Sequence, residues 1–246
     1  MKKLGEEEAE ECRQEREKKI KLSKKRRKEE NYKMYRSTTR RQKMLPRGCV
    51  FGHSFVARFS RSNRQEKGCY ARALGLGRAC SHLSMTGRGG SFISYFEDFV
   101  ESLISSRESR MDFLIVDMGT NDLCGLDADG VTLARHYMSC AAELIRRTSV
   151  RRVVFALVTP RARTHKRNPR DFDRERNRFN SEIINKSRTM NGVRYFVHGG
   201  LMTSEARSWA KDGIHPTTTK YGSNEYYYSI KNVVLQTAKD LRWDSY

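Results

Sequence analysis

Five short apolar runs, separated by stretches of helical periodicity, constrain the fold of this chain more than any other feature. Cys49-Val50-Phe51, Ala79 to Met85, Phe113-Leu114-Ile115-Val116, Val153 to Val158 and Val193-Arg194-Tyr195-Phe196-Val197 have the length and the β-branched or aromatic content of strands. Between them, Phe92, Tyr95, Phe96, Phe99, Val100 and Leu103 form one helical stripe, and Ala134, Tyr137, Met138, Ala141, Leu144 and Ile145 a second. Phe172, Arg176, Phe179 and Ile183 give a third, more polar one, and a last helix is expected from about Tyr221 toward Leu241. Strands that alternate with helices imply an α/β fold with a parallel sheet covered on both faces.

The first 46 residues do not share this pattern. Residues 1–47 hold 18 Lys/Arg and 9 Asp/Glu, running from Glu6-Glu7-Glu8 to Lys24-Lys25-Arg26-Arg27-Lys28, with too little apolar surface to fold alone. Ile20, Leu22, Met34 and Leu45 do not sustain a heptad, so 1–46 reads as a basic arm, disordered or partly helical, ahead of a domain over 47–246. The whole chain carries +20, so the domain is basic as well. No apolar run approaches the roughly 20 residues of a membrane span, and the N-terminus lacks the apolar core of a secretory signal; a cytoplasmic or nuclear protein is expected. Cys12, Cys49, Cys69, Cys80, Cys124 and Cys140 include no Cys-x-x-Cys pair, which argues for idle thiols over a zinc ribbon or redox dithiol.

Four polar islands punctuate the domain. Gly52-His53-Ser54-Phe55 follows the first strand, where a serine at a helix start presents both its hydroxyl and its N–H at the sheet edge. An ordinary turn with a helix cap has the same sequence. Gly87-Arg88-Gly89-Gly90 follows the second strand, and glycine lets a backbone N–H face a substrate or simply relaxes a turn. Gly119-Thr120-Asn121-Asp122 ends the third, where Asn121 could donate its amide to an oxyanion or merely favour the turn. Asp212 and His215, three apart, would share a face within one helical turn, so the carboxylate could orient the imidazole toward Ser54.

In this order the islands resemble the SGNH hydrolases, also called GDSL esterases and lipases, over approximately Arg47 to the C-terminus. The resemblance implies a flavodoxin-like α/β/α sandwich on a five-stranded, mainly parallel sheet. It further implies a serine esterase that forms an acyl-enzyme without a metal or organic cofactor. Ser54 would be the nucleophile, His215 the base and Asp212 its orienting acid. The oxyanion hole would comprise the Ser54 N–H, the Gly90 N–H, with Gly89 close behind, and the Asn121 side chain. The family usually has Asp where this chain has His53. Gly-His-Ser-Phe with a basic extension resembles, more narrowly, the esterase-like domains of first-open-reading-frame proteins of non-LTR retrotransposons.

Residues 151–178 hold 10 Lys/Arg against 3 Asp/Glu, and Arg161, Arg163, Lys166, Arg167 and Arg170 fall after the fourth strand, on the expected site edge. Two partners suit that charge. One is a small ester that is anionic or presented on a membrane surface or nucleic acid. The other is RNA or DNA held by Lys24, Lys25, Arg26, Arg27 and Lys28 of the arm with Arg161, Arg163, Lys166 and Arg167 of the rim, on a domain with weak or no catalysis. His82, His136, His165 and His198 show no metal-ligand spacing among themselves.

Overall fold

A computed structural model describes residues 22–32, 45–62, 69–106, 110–161, 163–164, 166–202, 210, 212–216 and 222–243. Cys12, Ile20, Met34, His165 and Tyr221 lie outside the described residues. The chain divides into two compact units, Met1–Met44 and Leu45–Tyr246. In the first, α1 (22–32) carries Lys24 to Lys28, all exposed.

In the second unit the elements run β1 (Arg47–Gly52), α2 (Ser54–Ser62), β2 (His82–Gly87), α3 (Ile93–Ser105), β3 (Phe113–Asp117), a 3₁₀ turn (Asp122–Cys124), α4 (Gly130–Arg147), β4 (Arg152–Ala156), α5 (Pro169–Thr189), β5 (Val193–Phe196) and α6 (Gly222–Trp243). The five strands form one sheet in the order β2-β1-β3-β4-β5, every neighbouring pair parallel. The α/β/α expectation therefore holds, with β2 three residues later than the run Ala79 to Met85. The start of that run belongs to a compact turn in which Ala79 and Cys80 donate their N–H groups to Leu76 O.

Strand periodicity explains the two faces. Cys49, Phe51, Leu114, Val116, Val153 and Phe155 enter one apolar cluster with α3, α4 and α5, while Val50, Phe113, Ile115 and Val154 enter another with α2, residues 69–83 and α6. Phe51 ties the sheet to α3, its ring centroid 4.3 Å from Phe99 and 4.9 Å from Tyr95. Burial of such an aromatic contributes about 1.5–3 kcal/mol. Phe92 departs from the expected stripe, being 53% exposed at the N-cap of α3. Because Phe92 supplies no side-chain cap, Asp122 from the loop after β3 accepts the Ile93 N–H at 2.8 Å, and its other oxygen accepts the Tyr137 hydroxyl at 3.2 Å. The loop after β3 is thus tied to the start of α3 and to α4 at the carboxyl edge of the sheet, where parallel strands collect their functional loops. Among the described residues no helix is long and apolar enough to cross a membrane.

Candidate active site

The edge where β1 ends holds Ser54 at the first position of α2, half-buried. His53 just before it donates its backbone N–H to Asp117 O at 3.2 Å, which ties the strand-to-helix turn to β3. His215 reaches Ser54 from the other end of the domain: its Nε2 lies 2.8 Å from Ser54 Oγ. Its Nδ1 lies 2.7 Å from Asp212 Oδ2. Asp212 and His215 are not on a helix, as their spacing suggested, but in a tight turn in which Gly213 has φ +65°. Asp212 Oδ1 accepts the N–H groups of Ile214 at 2.9 Å and His215 at 3.0 Å, so one carboxylate builds the turn and orients the ring it carries.

Electrostatics set the two groups apart. Burial pushes the Asp212 carboxyl up, but the His215 and Ile214 N–H groups and the imidazole outweigh it and hold it at about 2. The His215 imidazole is held below its ordinary range, first by burial and then by the Arg58 and Arg161 charges, while Asp212 pulls the other way. At neutral pH this leaves an anionic Asp212 beside a neutral imidazole able to take a proton from Oγ.

His53 stands where the resembled family usually has Asp. It is buried, its Nδ1 lies 3.3 Å from Ser54 Oγ and accepts the Phe55 N–H at 3.4 Å, and its Nε2 lies 3.4 Å from Thr120 Oγ1. An accepting Nδ1 fits the tautomer protonated on Nε2. Desolvation lowers its pKa to about 4, against the pull of Asp117. Beneath it, buried Asp117 accepts the Tyr226 hydroxyl at 2.6 Å, with His198 Nε2 3.6 Å away. Burial alone would raise the Asp117 carboxyl; His198, His53 and Tyr226 outweigh that and hold it at about 2. Sequence reasoning missed this acid, although an aspartate closing the apolar run Phe113 to Val116 is a signal in itself.

The oxyanion candidates converge on the same place. Ser54, Gly89, Gly90, Asn121 and His215 all line a cleft of about 500 Å³. Asn121 donates its amide to Ser91 O at 3.0 Å, and its Oδ1 accepts from Arg161 Nη2 at 3.2 Å, which fixes which end of the amide is the donor. Gly90 has φ +71°, a left-handed backbone that turns the chain after β2 into the cleft wall. Gly87 has another job: a Cβ there would sit 2.4 Å from Ala57 N, so it lets β2 approach α2.

The basic residues separate. Arg161 is 5% exposed inside the cleft, not on a rim, and Arg167 spends Nη1 on the carbonyls of Leu123, Gly125 and Ala128, stapling a loop. Arg163 and Lys166 are exposed, and Lys166 lines the cleft with Arg58 and Arg61. Those two arginines went unnoticed in the sequence, although they follow Ser54 by four and seven residues, on one helical face. His136, expected without ligand partners, lies 2.6 Å from Glu97, and with Cys140 the three place potential ligand atoms within 4.8 Å, outside the cleft lining.

Solved structures with a similar arrangement of sheet and helices include proteins described as lipases, acylhydrolases and esterases. A GDSL-like lipase from Bacteroides thetaiotaomicron VPI-5482 superposes with a TM-score of 0.59 at 17% identity, covering 84% of this chain and 98% of its own. The fold is that of the SGNH hydrolases. A putative acylhydrolase from Bacteroides fragilis NCTC 9343 shares this SGNH fold (TM-score 0.57, 15% identity, 81% and 94% covered). So does a carbohydrate esterase family 3 protein from Talaromyces cellulolyticus (TM-score 0.55, 12% identity, 80% and 99% covered). No family model matches the sequence, and no curated protein matches it. The SGNH likeness is therefore one of architecture, reached at low identity.

Proposed function

We propose that this protein is a serine ester hydrolase that works through an acyl-enzyme. The observation that carries the reading is the chain of contacts from Ser54 Oγ to His215 Nε2 at 2.8 Å and from His215 Nδ1 to Asp212 at 2.7 Å. Ser54 Oγ attacks the ester carbonyl carbon while its proton passes to His215 Nε2. The oxyanion is held by the N–H groups of Ser54 and Gly90 and by the Asn121 amide. Collapse breaks the bond to the alcohol oxygen, which leaves with the proton from His215. Water then attacks the acyl carbon and gives its proton to His215, and the Oγ–acyl bond breaks as His215 returns that proton to Oγ, which releases the acid and restores Ser54. Every step uses groups of this chain and water.

Hydrolysis of short-chain para-nitrophenyl esters by the wild-type chain and by Ser54→Ala tests this directly. Loss of kcat by at least about 10³-fold in the variant is expected. Equal rates in the two proteins would refute the assignment.

A further inference from the structure

We propose that the ester taken by this cleft carries a negative charge, as a carboxylate or phosphate group on its acyl or alcohol part. The inference rests on the serine-hydrolase reading for the reaction and adds the class of substrate.

Cations reach the cleft from two separate elements. Ser54, Arg58 and Arg61 stand four and three residues apart on α2, so one helical face carries the nucleophile and two guanidinium groups, and all three line the cleft. Arg161 and Lys166, from the loop after β4, line it too. Among the described residues thirteen line it, of which four are cationic and none is a carboxylate. Low-dielectric walls of one sign concentrate the field inside the cleft and draw in ions of the other.

Arg161 is the telling member. It is 5% exposed, it donates to Cys124 Sγ at 3.2 Å and Asn121 Oδ1 at 3.2 Å, and among the described residues its buried Nε has no partner. A buried guanidinium with an unsatisfied N–H is costly. Cys124 and then Asp212 offset that cost in part, and the carboxylate is already engaged by His215 and two backbone N–H groups. Such a cation is well placed when its counter-charge arrives with the ligand. The cleft of about 500 Å³ has the size of a small-molecule site, which assigns the charge to a substituent of a small ester and not to a polymer lying across the surface.

Two matched pairs of probes test the proposal. Para-nitrophenyl hydrogen adipate against its methyl ester places or removes charge on the acyl side; meta-acetoxybenzoate against methyl meta-acetoxybenzoate does so on the alcohol side. Equilibrium binding is measured on full-length Ser54→Ala, which holds the uncleaved esters. In at least one pair the anion should bind about tenfold more tightly at low salt, and the ratio should shrink toward parity at about 0.5 M salt. It should shrink likewise when Arg58→Gln and Lys166→Gln are added. Parity in both pairs at low salt, or a preference for the neutral esters, overturns the proposal. Wild-type turnover of the same esters answers separately. If it lacks a Ser54-dependent component, the hydrolase reading fails, while the binding ratios still decide the charge preference.

Discussion

Ser54 stands between two imidazoles, and their surroundings divide the work. His215 is nearer, at 2.8 Å against 3.3 Å for His53, and only His215 has a carboxylate on its far nitrogen within hydrogen-bond distance. His53 is buried and neutral, with Nδ1 already accepting the Phe55 N–H, so it packs against the hydroxyl, and the proposed base is His215. The proposed mechanism uses the neutral form of His215, and burial with Arg58 and Arg161 lowers its pKa. The acid limb of kcat/KM is accordingly expected below pH of about 6.5, the ordinary imidazole value, with activity rising as pH increases through it. A pH–rate profile checks this, and Arg58→Gln should move the limb upward. Asn121 offers a second residue-scale test. If Asn121 is the proposed oxyanion donor, Asn121→Ala removes a contact made mainly in the transition state, and steady-state kinetics should show kcat down by about 10²–10³-fold with KM little changed.

At the scale of elements, the position of Ser54 depends on how closely β2 and α2 meet. In Gly87→Ala the new Cβ would face Ala57 N at 2.4 Å, a backbone atom of the helix that Ser54 begins. The variant should lose about 1–3 kcal/mol of stability in denaturant unfolding, with a parallel drop in kcat/KM as the helix shifts. The central strands and the amphipathic helices were legible because burial on both faces leaves unbroken apolar runs, as in Phe113 to Val116, and one-sided burial leaves a 3.6-residue stripe, as in α4. The approach to β2 was not legible. Tyr70, Ala71, Leu74 and Leu76 are buried in irregular turns, and such core has no period to read. Phe92 misled for a related reason: it keeps the spacing of the α3 stripe, yet sits at the N-cap, where the side chain turns into the cleft.

Over the whole molecule, the candidate site spans residues 161 positions apart, brought together because parallel strands deliver their loops to one edge of the sheet. The order of the polar islands made that convergence readable in advance. What the excess of positive charge does was not, since counting cannot tell a staple from a ligand. In the basic stretch 151–178, Arg167 holds three carbonyls, Arg174, Arg176 and Arg178 pair with neighbouring acids, and Arg161 turns into the cleft. The proposed chemistry requires this distant pairing to make one serine nucleophilic. Mass spectrometric mapping of a fluorophosphonate adduct on the intact chain tests it most directly, because phosphonylation needs the hydroxyl, its base and an open cleft together. The adduct should form on Ser54 and be lost in His215→Ala; an unmodified Ser54, or equal labelling without His215, would contradict it.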